Sequence, residues 1–303
     1  MTVKIFSHKS DPDGIGCVLL SLLSFKDVSY TLCKNNLELD EKIGDFLEQE
    51  DLTNYERVYI TDLCPSKSLL EKMAFINAKL FQVYDHHLTS LKEKEIPSFV
   101  YIGDDEKDCA MSIFYQELLK DFPVLKENKT LEELVNLTRL HDTWEWKKEN
   151  NRKALLLETF HHYLGPVGYL YYYKDKCLQD CGLQRTEEEK TWLLDITKEE
   201  TKKVKEILQR VVFEKEENIN FASVYGPYSL RNLLADALKK DYPDCDVLAL
   251  FAPDNGTISF RSLKNIDVLP LAEKYHGGGH PKAAGCSLTK ENEIILRRKL
   301  MKD

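Results

Sequence analysis

Carboxylates and imidazoles recur together at four places in this chain, in patterns that suit metal chemistry. The four segments are Ser7–Gly14 (SHKSDPDG), Ile60–Cys64 (ITDLC), Val83–His87 (VYDHH) and Arg139–Asp142 (RLHD). Each alone has an ordinary explanation, because an isolated Asp after a strand most often caps the following helix. Together they supply oxygen and nitrogen ligands without a thiolate, which suits Mn²⁺ or a similar ion. The set is large enough for two ions, an arrangement that promotes in-line phosphoryl displacement.

The secondary-structure pattern explains how these segments could meet. Strands are predicted at Val3–Ser7, Val28–Cys33, Arg57–Thr61 and Lys79–Tyr84, with helices between them at Gly14–Phe25, Leu39–Glu48 and Lys67–Asn77. This alternation predicts an α/β domain with a parallel sheet and helices on both faces. Ligands of such sheets bind at the carboxyl ends of the strands. Three segments fall at those ends and the fourth ends a predicted helix, Leu131–Asp142, so we expect all four to converge on one crevice.

The rest of the chain predicts further helices and a second, smaller α/β domain. Helices are predicted at Cys109–Lys120, Arg152–His162 and, as a long charged connector, Thr186–Val212. Beyond the connector, strands are predicted at Asn220–Tyr225, Asp246–Ala252 and Thr257–Arg261, and helices at Ser229–Lys240 and Lys290–Met301. A hairpin turn is predicted between the last two of these strands. We therefore predict an N-terminal domain over residues 1–185, a linker helix over 186–212 and a C-terminal domain over 213–303.

Composition narrows the class of protein. The 303 residues are 43% hydrophobic and 31% charged, with a net charge of −9, which is ordinary for a soluble globular protein. Tight binding to long duplex nucleic acid is not expected, because the chain lacks the clustered basic residues that drive it. No apolar run approaches the ~18 residues of a membrane span, and the N-terminus lacks the apolar core of a signal peptide. With eight cysteines and no secretory signal, reduced thiols in the cytoplasm are expected.

The motifs resemble those of a known enzyme family. In this order and spacing, HKSDPDG, YITD, YDHH and HD resemble the four signature segments of the DHH phosphoesterase superfamily. HGGGHPKAAG, residues 276–285, resembles the GGGH signature of the DHH-associated domain. The two-domain length is similar to that of the bacterial oligoribonucleases of the Nrn type, the nanoRNases. One feature departs from the family: two residues separate His8 and Asp11, where the family patterns have one or three, so His8 is the ligand position to check in the structure.

The resemblance implies a role for each residue of the four segments. His8 and Asp11 would bind one Mn²⁺ and Asp13 the other, Asp62 would bridge the two ions, and His86 and Asp142 would complete the second site. Asp85 would orient a neighbouring ligand, as outer carboxylates do. His87 would face the substrate phosphate as a donor or general acid. The catalytic set implied in this way is His87, Asp85 and Asp62.

The C-terminal motif would hold the phosphate or nucleotide end of the substrate. The residues that the resemblance implies are Arg261, Gly277, Gly278, Gly279 and His280. The glycines would allow a tight turn whose amides point at an anion, and a helix beginning near His280 would add partial positive charge. The guanidinium of Arg261 would fork onto a phosphate. The alternative is that the glycines only pack the domain against a strand.

Three aromatic or histidine features have plainer interpretations. His161 and His162 are adjacent and point in different directions on a helix, so a shared metal is not expected. The tyrosines that follow them could stack bases, although a core or interdomain contact is more typical of such a stretch. Trp144 and Trp146 follow the fourth segment directly and would either shield the metal centre or line the cleft.

The function implied is two-metal hydrolysis of short oligoribonucleotides to mononucleotides, with Mn²⁺ as cofactor and Mg²⁺ or Co²⁺ as alternatives. A phosphatase of 3′-phosphoadenosine 5′-phosphate would use the same residues, as would a phosphodiesterase of cyclic nucleotides or linear dinucleotides. The GGGH motif argues against a family II inorganic pyrophosphatase, and 303 residues leave little room for the extra domains of a RecJ-type exonuclease. The non-enzymatic alternative is a nucleotide-binding sensor. The oligomeric state stays open.

Overall fold

The computed structural model describes residues 1–87, 97–104, 107–149 and 151–301. These form two compact units, Met1–Gln184 and Arg185–Asp303. Within the described ranges, no helix is both long enough and apolar enough to span a membrane.

The N-terminal unit is a parallel sheet followed by a helical region. Its strands are β1 (Thr2–His8), β2 (Val28–Cys33), β3 (Tyr55–Thr61), β4 (Phe81–Asp85) and β5 (Val100–Ile102). Its helices are α1 (Pro12–Ser24), α2 (Asn36–Gln49), α3 (Lys67–Asn77), α4 (Ala110–Asp121), α5 (Lys129–Asp142), α6 (Glu145–Glu149) and α7 (Arg152–Gln179). The strands pair in the order β2-β1-β3-β4-β5, all parallel. The strand order therefore reverses beside β1, which creates a crevice between the ends of β1 and β3.

Successive side chains along the strands point to opposite faces of this sheet, and helices cover both faces. Phe6, Val58 and Ile60 pack with residues of α2 and α3 on one face. On the other face, the ring of Tyr59 contacts that of Phe114 on α4 at 4.9 Å. Helix α1 lies on this second face and contacts α4, α5 and α7. It is buried from its first residue to Ser21, as expected of a helix that is apolar nearly all round.

Helix α7 is broken near its middle. Gly165 has φ 67° and ψ 167°, which is not helical, and Pro166 follows it. Pro cannot donate the backbone hydrogen bond that a helix interior requires, so the two halves of α7 meet at a kink. The predicted helix Arg152–His162 is the first half of this element.

The C-terminal unit is a mixed sheet with helices on both faces. Its strands are β6 (Val212–Glu216), β7 (Ile219–Tyr225), β8 (Val247–Ala252), β9 (Thr257–Ser262), β10 (Gly278–His280) and β11 (Ala283–Ser287). Its helices are α8 (Glu187–Leu208), α9 (Arg231–Asp241), α10 (Leu269–Glu273) and α11 (Lys290–Leu300). The strand order is β10-β11-β9-β8-β7-β6, with β7 and β8 parallel and the other pairs antiparallel. Helices α10 and α11 cover one face.

The predicted connector helix ends inside the core of this second unit. Val204 and Ile207 of α8 pack with Leu234 and Leu238 of α9 over the face of the sheet opposite α10 and α11. Helix α8 ends at Leu208, and β6 begins at Val212, the predicted last residue of the helix.

The α/β class and the parallel N-terminal sheet with helices on both faces are confirmed, as is the smaller α/β C-terminal part with its β8–β9 hairpin. The prediction of a helix beginning near His280 is wrong. His280 ends strand β10, which pairs antiparallel with β11, and the turn between them holds Pro281 and Lys282. A glycine-rich run reads as a turn in sequence, but here it lies in an edge strand.

Candidate metal centre and active site

The four sequence segments meet at one edge of the parallel sheet. His8 is the last residue of β1, Asp62 follows β3, and Asp85 is the last residue of β4. Asp142 is the last residue of α5. The crevice beside the ends of β1 and β3, where the strand order reverses, therefore holds groups from every segment, as the sequence predicts.

The first cluster joins His8, Asp11 and Asp62. The Nδ1 atom of His8 lies 2.6 Å from Asp11 Oδ2 and 3.3 Å from Asp62 Oδ2. Its Nε2 atom lies 3.2 Å from the carbonyl oxygen of Lys34, which can only accept a hydrogen bond. This contact makes Nε2 the donor and leaves the Nδ1 lone pair for a ligand role once Nδ1 is deprotonated. The unusual spacing of His8 and Asp11 thus still brings their side chains together.

The second cluster joins Asp13, His86 and Asp142. The Nε2 atom of His86 lies 3.1 Å from Asp142 Oδ2 and 3.7 Å from Asp13 Oδ2. It also lies 3.6 Å from Asp62 Oδ1. The two oxygens of Asp62 therefore face different clusters, Oδ2 towards His8 and Oδ1 towards His86.

The backbone positions these carboxylates closely. Asp11 caps α1 and accepts from the Gly14 amide at 3.1 Å. Asp13 accepts from the first two amides of α4, at Ala110 (2.8 Å) and Met111 (2.7 Å), so a helix N-terminus supports its charge. A Cβ on Gly14 would lie 2.2 Å from the His8 carbonyl oxygen, so the close approach of the two backbone segments requires glycine at this position.

Asp62 adopts a conformation that is rare for a residue with a side chain. Its φ is 58°, and its amide donates to the Tyr84 carbonyl at 2.9 Å. Left-handed backbone of this kind persists where the surrounding structure imposes it, often at functional sites. Here it turns a buried carboxylate back towards both clusters.

The electrostatics of the metal-free clusters favour added positive charge. Burial works against charged imidazoles, but Asp11 and Asp62 outweigh it and raise the pKa of His8 well above its usual value. Burial is likewise outweighed at His86, whose pKa is raised by Asp142, Asp62 and Asp13. Burial together with Asp62 and Asp142 raises the pKa of Asp13. Groups whose pKa values are raised in this way favour a bound cation, which can displace their protons.

The donor sets fit divalent cations. Among the described residues, His8–Asp11–Asp62, Asp13–His86–Asp142 and Asp62–His86–His87 each offer three ligand atoms within 4.8 Å of one another. All are carboxylate oxygens or imidazole nitrogens, the donors that Mn²⁺ and similar ions accept. Divalent metal use therefore agrees with the chemistry of this edge of the sheet.

Asp85 and His87 form a pair beside the clusters. Asp85 is 1% exposed, and its Oδ1 accepts from the His86 amide at 2.8 Å and lies 2.7 Å from His87 Nδ1. Burial lowers the pKa of His87 and Asp85 raises it more, to about 9. The side chain of His87 is 27% exposed. A partly exposed imidazole that is held by a buried carboxylate suits proton transfer to a substrate.

His161 contributes to the site in a way that the sequence did not reveal. Its Nε2 atom lies 3.0 Å from the carbonyl oxygen of Lys9, in the loop between His8 and Asp11. Its ring packs edge-on against Tyr169, at 5.5 Å between centroids. His161 thus anchors the loop that carries the first cluster. In the sequence, His161 is only a histidine on the predicted helix Arg152–His162, and that signal does not specify a partner.

Arg261, predicted to bind phosphate, is held tightly inside the C-terminal unit. It is 8% exposed. Its Nη1 donates to Ser259 Oγ at 2.8 Å and to the Phe260 carbonyl at 3.1 Å, and its Nε donates to Asn232 Oδ1 at 3.2 Å. These bonds fix the plane of the guanidinium, as a preorganised anion site requires.

The glycines of the GGGH segment are needed for backbone packing. A Cβ on Gly277 would lie 2.1 Å from the Gly285 carbonyl oxygen, and one on Gly279 would lie 2.7 Å from the Ala283 carbonyl oxygen. Gly279 also has φ 129°, and His276 before the segment has φ 57°. The backbone at Gly277 and Gly279 therefore lies closer to β11 than a side chain allows, so these two glycines serve backbone packing.

Comparison with known proteins agrees with the motifs. Residues 228–302 match the model of the DHHA1 domain. Over 95% of its length the chain is 29% identical to the oligoribonuclease NrnB of Bacillus subtilis, of which the match covers 73%.

Solved structures share the fold at low identity. The exonuclease RecJ bound to manganese matches with a TM-score of 0.54 and 16% identity, over 98% of this chain and 88% of that chain. The pGpG-specific phosphodiesterase PggH of Vibrio cholerae matches with a TM-score of 0.51 and 17% identity, over 98% of this chain and 96% of that chain. An exopolyphosphatase-related protein of Bacteroides fragilis matches with a TM-score of 0.53 and 15% identity, over 99% of this chain and 92% of that chain. By motif order, fold and sequence, the chain resembles a DHH phosphoesterase that carries a DHHA1 domain at its C-terminal end.

Proposed function

We propose that this protein is a metal-dependent phosphoesterase that hydrolyses short oligoribonucleotides to mononucleotides. The observation that carries the proposal is the meeting of two His and Asp clusters at one edge of a parallel sheet. It occurs in a chain with 29% identity over 95% of its length to an oligoribonuclease.

Two Mn²⁺ ions would occupy the clusters, with Mg²⁺ or Co²⁺ as alternatives. His8 and Asp11 would hold one ion, and Asp13, His86 and Asp142 the other. Asp62 would serve both, because its two oxygens face different clusters. Divalent ions bound there supply Lewis acidity at the phosphate and an acidified water.

His87 would handle protons at the substrate. Its Nδ1 donates to Asp85, which sets the ring orientation and stabilises the imidazolium, the form in which Nε2 also carries a proton. With a pKa raised to about 9, His87 is protonated at neutral pH in the metal-free protein, and nearby cations would lower that value. Donation to a phosphate oxygen or to the leaving oxygen is the role that this geometry supports, with Asp85 as the positioning residue.

The C-terminal part would bind the phosphate end of the substrate through Arg261 and the 277–280 segment. In functional terms we propose a catalytic domain over 1–185, a linker over 186–212 that contains helix α8, and a substrate-binding domain over 213–303. Short RNA and small nucleotides are the proposed partners, because a chain with a net charge of −9 offers no long basic track. We place the activity in the cytoplasm, in keeping with eight cysteines that form no disulfide bond among the described residues.

A substrate panel tests this function. Wild-type protein with Mn²⁺ is compared on a two-residue RNA, a five-residue RNA, a 24-residue RNA, 3′-phosphoadenosine 5′-phosphate, cyclic AMP and pyrophosphate. Fast turnover of the two shortest RNAs and slow turnover of the longest would support the proposal. Turnover of a mononucleotide or cyclic nucleotide alone would replace it with a small-molecule phosphoesterase. No turnover at all would favour the nucleotide-binding sensor.

A further inference from the structure

Trp144 has an unusual backbone conformation next to the proposed metal centre. Its φ is 62°, in the left-handed region that a bulky side chain rarely adopts. It lies two residues after Asp142, so their Cα atoms are at most about 7 Å apart. Strained backbone at such a place points to a functional constraint on the side chain.

Hydrogen bonds hold Trp144 and the residues on either side of it, and the Trp144 amide itself donates to the His141 carbonyl at 3.3 Å. The Thr143 amide and hydroxyl both bond to the Arg139 carbonyl, at 3.0 and 2.9 Å. The Arg139 guanidinium lies 2.7 Å from Glu145 Oε2, which ties the end of α5 to the start of α6. The turn that presents Trp144 is thus built as a fixed unit.

A second indole and a lysine complete the feature. Trp144 and Trp146 are both partly exposed. The Nζ atom of Lys147 lies 4.5 Å from the ring centre of Trp144 and 5.3 Å from that of Trp146. Two indoles with a cation between them form a surface of the kind that stacks nucleobases and attracts the phosphate beside them.

We propose that Trp144 and Trp146, with Lys147, form a base-stacking platform for the nucleotide next to the scissile phosphate. This inference rests on the proposed function, which places that phosphate at the metal centre beside Asp142. A water-excluding shield would bury both indoles, whereas here each keeps part of its surface exposed. The platform makes the enzyme selective for phosphodiesters that carry a nucleobase, without a requirement for one particular base.

The test compares three substrates. One is an intact two-residue RNA, and the other two each lack the base at one of the two positions. We expect wild-type kcat/KM to fall roughly 5–150-fold when the stacked base is missing, the range of one aromatic–base contact. Trp144→Gly keeps the backbone, because glycine adopts positive φ without strain. It should lower kcat/KM for the intact RNA by a similar factor and leave turnover of the abasic RNA unchanged. Trp144→Phe should restore part of the preference.

Trp192→Leu is the matched control, since Trp192 is partly exposed on α8 of the other unit; it should leave the base preference intact. If wild-type protein hydrolyses the intact RNA and both abasic RNAs equally well, the platform is wrong and the proposed function stands. If Trp144→Gly slows both RNAs equally, Trp144 is structural and the inference is overturned. If wild-type protein hydrolyses neither RNA, the proposed function fails and the platform with it.

Discussion

The two units hold their signature residues in opposite ways. In the N-terminal unit, ionisable side chains follow the ends of parallel strands and meet across the crevice, as His8 and Asp62 do at 3.3 Å. In the C-terminal unit, the signature residues lie in or next to strands of a mostly antiparallel sheet. There Arg261 bonds to its neighbours Ser259 and Phe260, and Gly277 packs against the β11 backbone.

Parallel and antiparallel sheets provide different kinds of site. Parallel strands end at one edge, so residues distant in sequence gather there and can do chemistry. Antiparallel strands alternate in direction, and a site built on them depends on rigid backbone and on a few fixed side chains. Changes in the first unit should therefore remove turnover, whereas changes in the second should alter substrate binding or stability.

The largest effect is expected from Asp62→Asn. Asn tolerates positive φ, so the backbone should be retained while a carboxylate that faces both clusters is lost. Activity should fall by far more than the ~10–100-fold that loss of an outer hydrogen-bond partner costs a metal site. Initial rates on the five-residue RNA measure this. Asp45→Asn, at an exposed site on α2, is the control, and equal activity of the two variants would refute a role for Asp62.

Arg261→Gln tests the second unit. Loss of charged hydrogen bonds to a phosphate should lower kcat/KM by roughly 10–100-fold, mainly through a higher KM, and Arg261→Lys should rescue it poorly because lysine lacks the planar fork. Steady-state kinetics separate KM from kcat. Arg298→Gln, on the exposed side of α11, should behave as wild type. A fall in kcat with an unchanged KM would place Arg261 in the chemistry and erase the contrast between the units.

His161→Leu tests the anchor of the first cluster. Without the bond to the Lys9 carbonyl, the affinity of the first cluster for its Mn²⁺ ion should fall about 10–100-fold, as for other outer partners of metal ligands. His161→Gln keeps a donor and should restore much of it. Calorimetric titration with Mn²⁺ gives both affinities. The exposed neighbour His162 offers the control His162→Leu, and matching affinities for the two leucine variants would rule out the anchor.

Gly277→Ala tests whether the glycines serve packing. A Cβ there meets the Gly285 carbonyl oxygen at 2.1 Å, so unfolding free energy should drop by about 1–3 kcal/mol. Gly44→Ala, in α2 with nothing within 4 Å of an added Cβ, should instead raise it by about 0.5–1 kcal/mol. Urea unfolding measures both. A stable Gly277→Ala variant would mean that packing does not explain this glycine.

The smallest effect is the pH dependence of the metal-free protein. The pKa values of His8, His86 and Asp13 are raised in the folded state, so the folded protein binds more protons than the unfolded chain. Stability from the two histidines is complete below about pH 6.5 and is lost as the pH rises through their folded values. Melting in EDTA should therefore occur at lower temperature as the pH rises from 6.5, and Mn²⁺ should reverse the trend. Melting that rises with pH in EDTA would contradict the assigned clusters.

Much of the fold could be predicted because its signals are local. Helix Lys67–Asn77 and strand Val28–Cys33 have the predicted bounds, since the pattern of apolar residues that predicts each one lies within the segment itself. Strand β5 has three residues and no pattern to detect, and β6 carries alternating charges that resemble the end of the charged helix before it. The glycine run of β10 reads as a turn because strand pairing there depends on β11.

The site likewise has features that the sequence predicts and features that it does not. The residues of both clusters could be named from sequence, because motif order encodes which strand ends carry them. The bond from His161 to the Lys9 carbonyl could not, since it joins positions 152 residues apart. Neither could the positive φ of Trp144, because left-handed backbone is rare at a bulky residue and no local pattern favours it there.

We propose that the converging strand ends hold a two-ion centre, and the number of Mn²⁺ ions bound per chain decides whether they do. Native mass spectrometry of metal-free protein titrated with Mn²⁺ should give two ions per chain for the wild type. Asp62→Asn should weaken the binding of both ions, because Asp62 faces both clusters. No bound Mn²⁺, or two ions bound equally well by Asp62→Asn, would contradict the account.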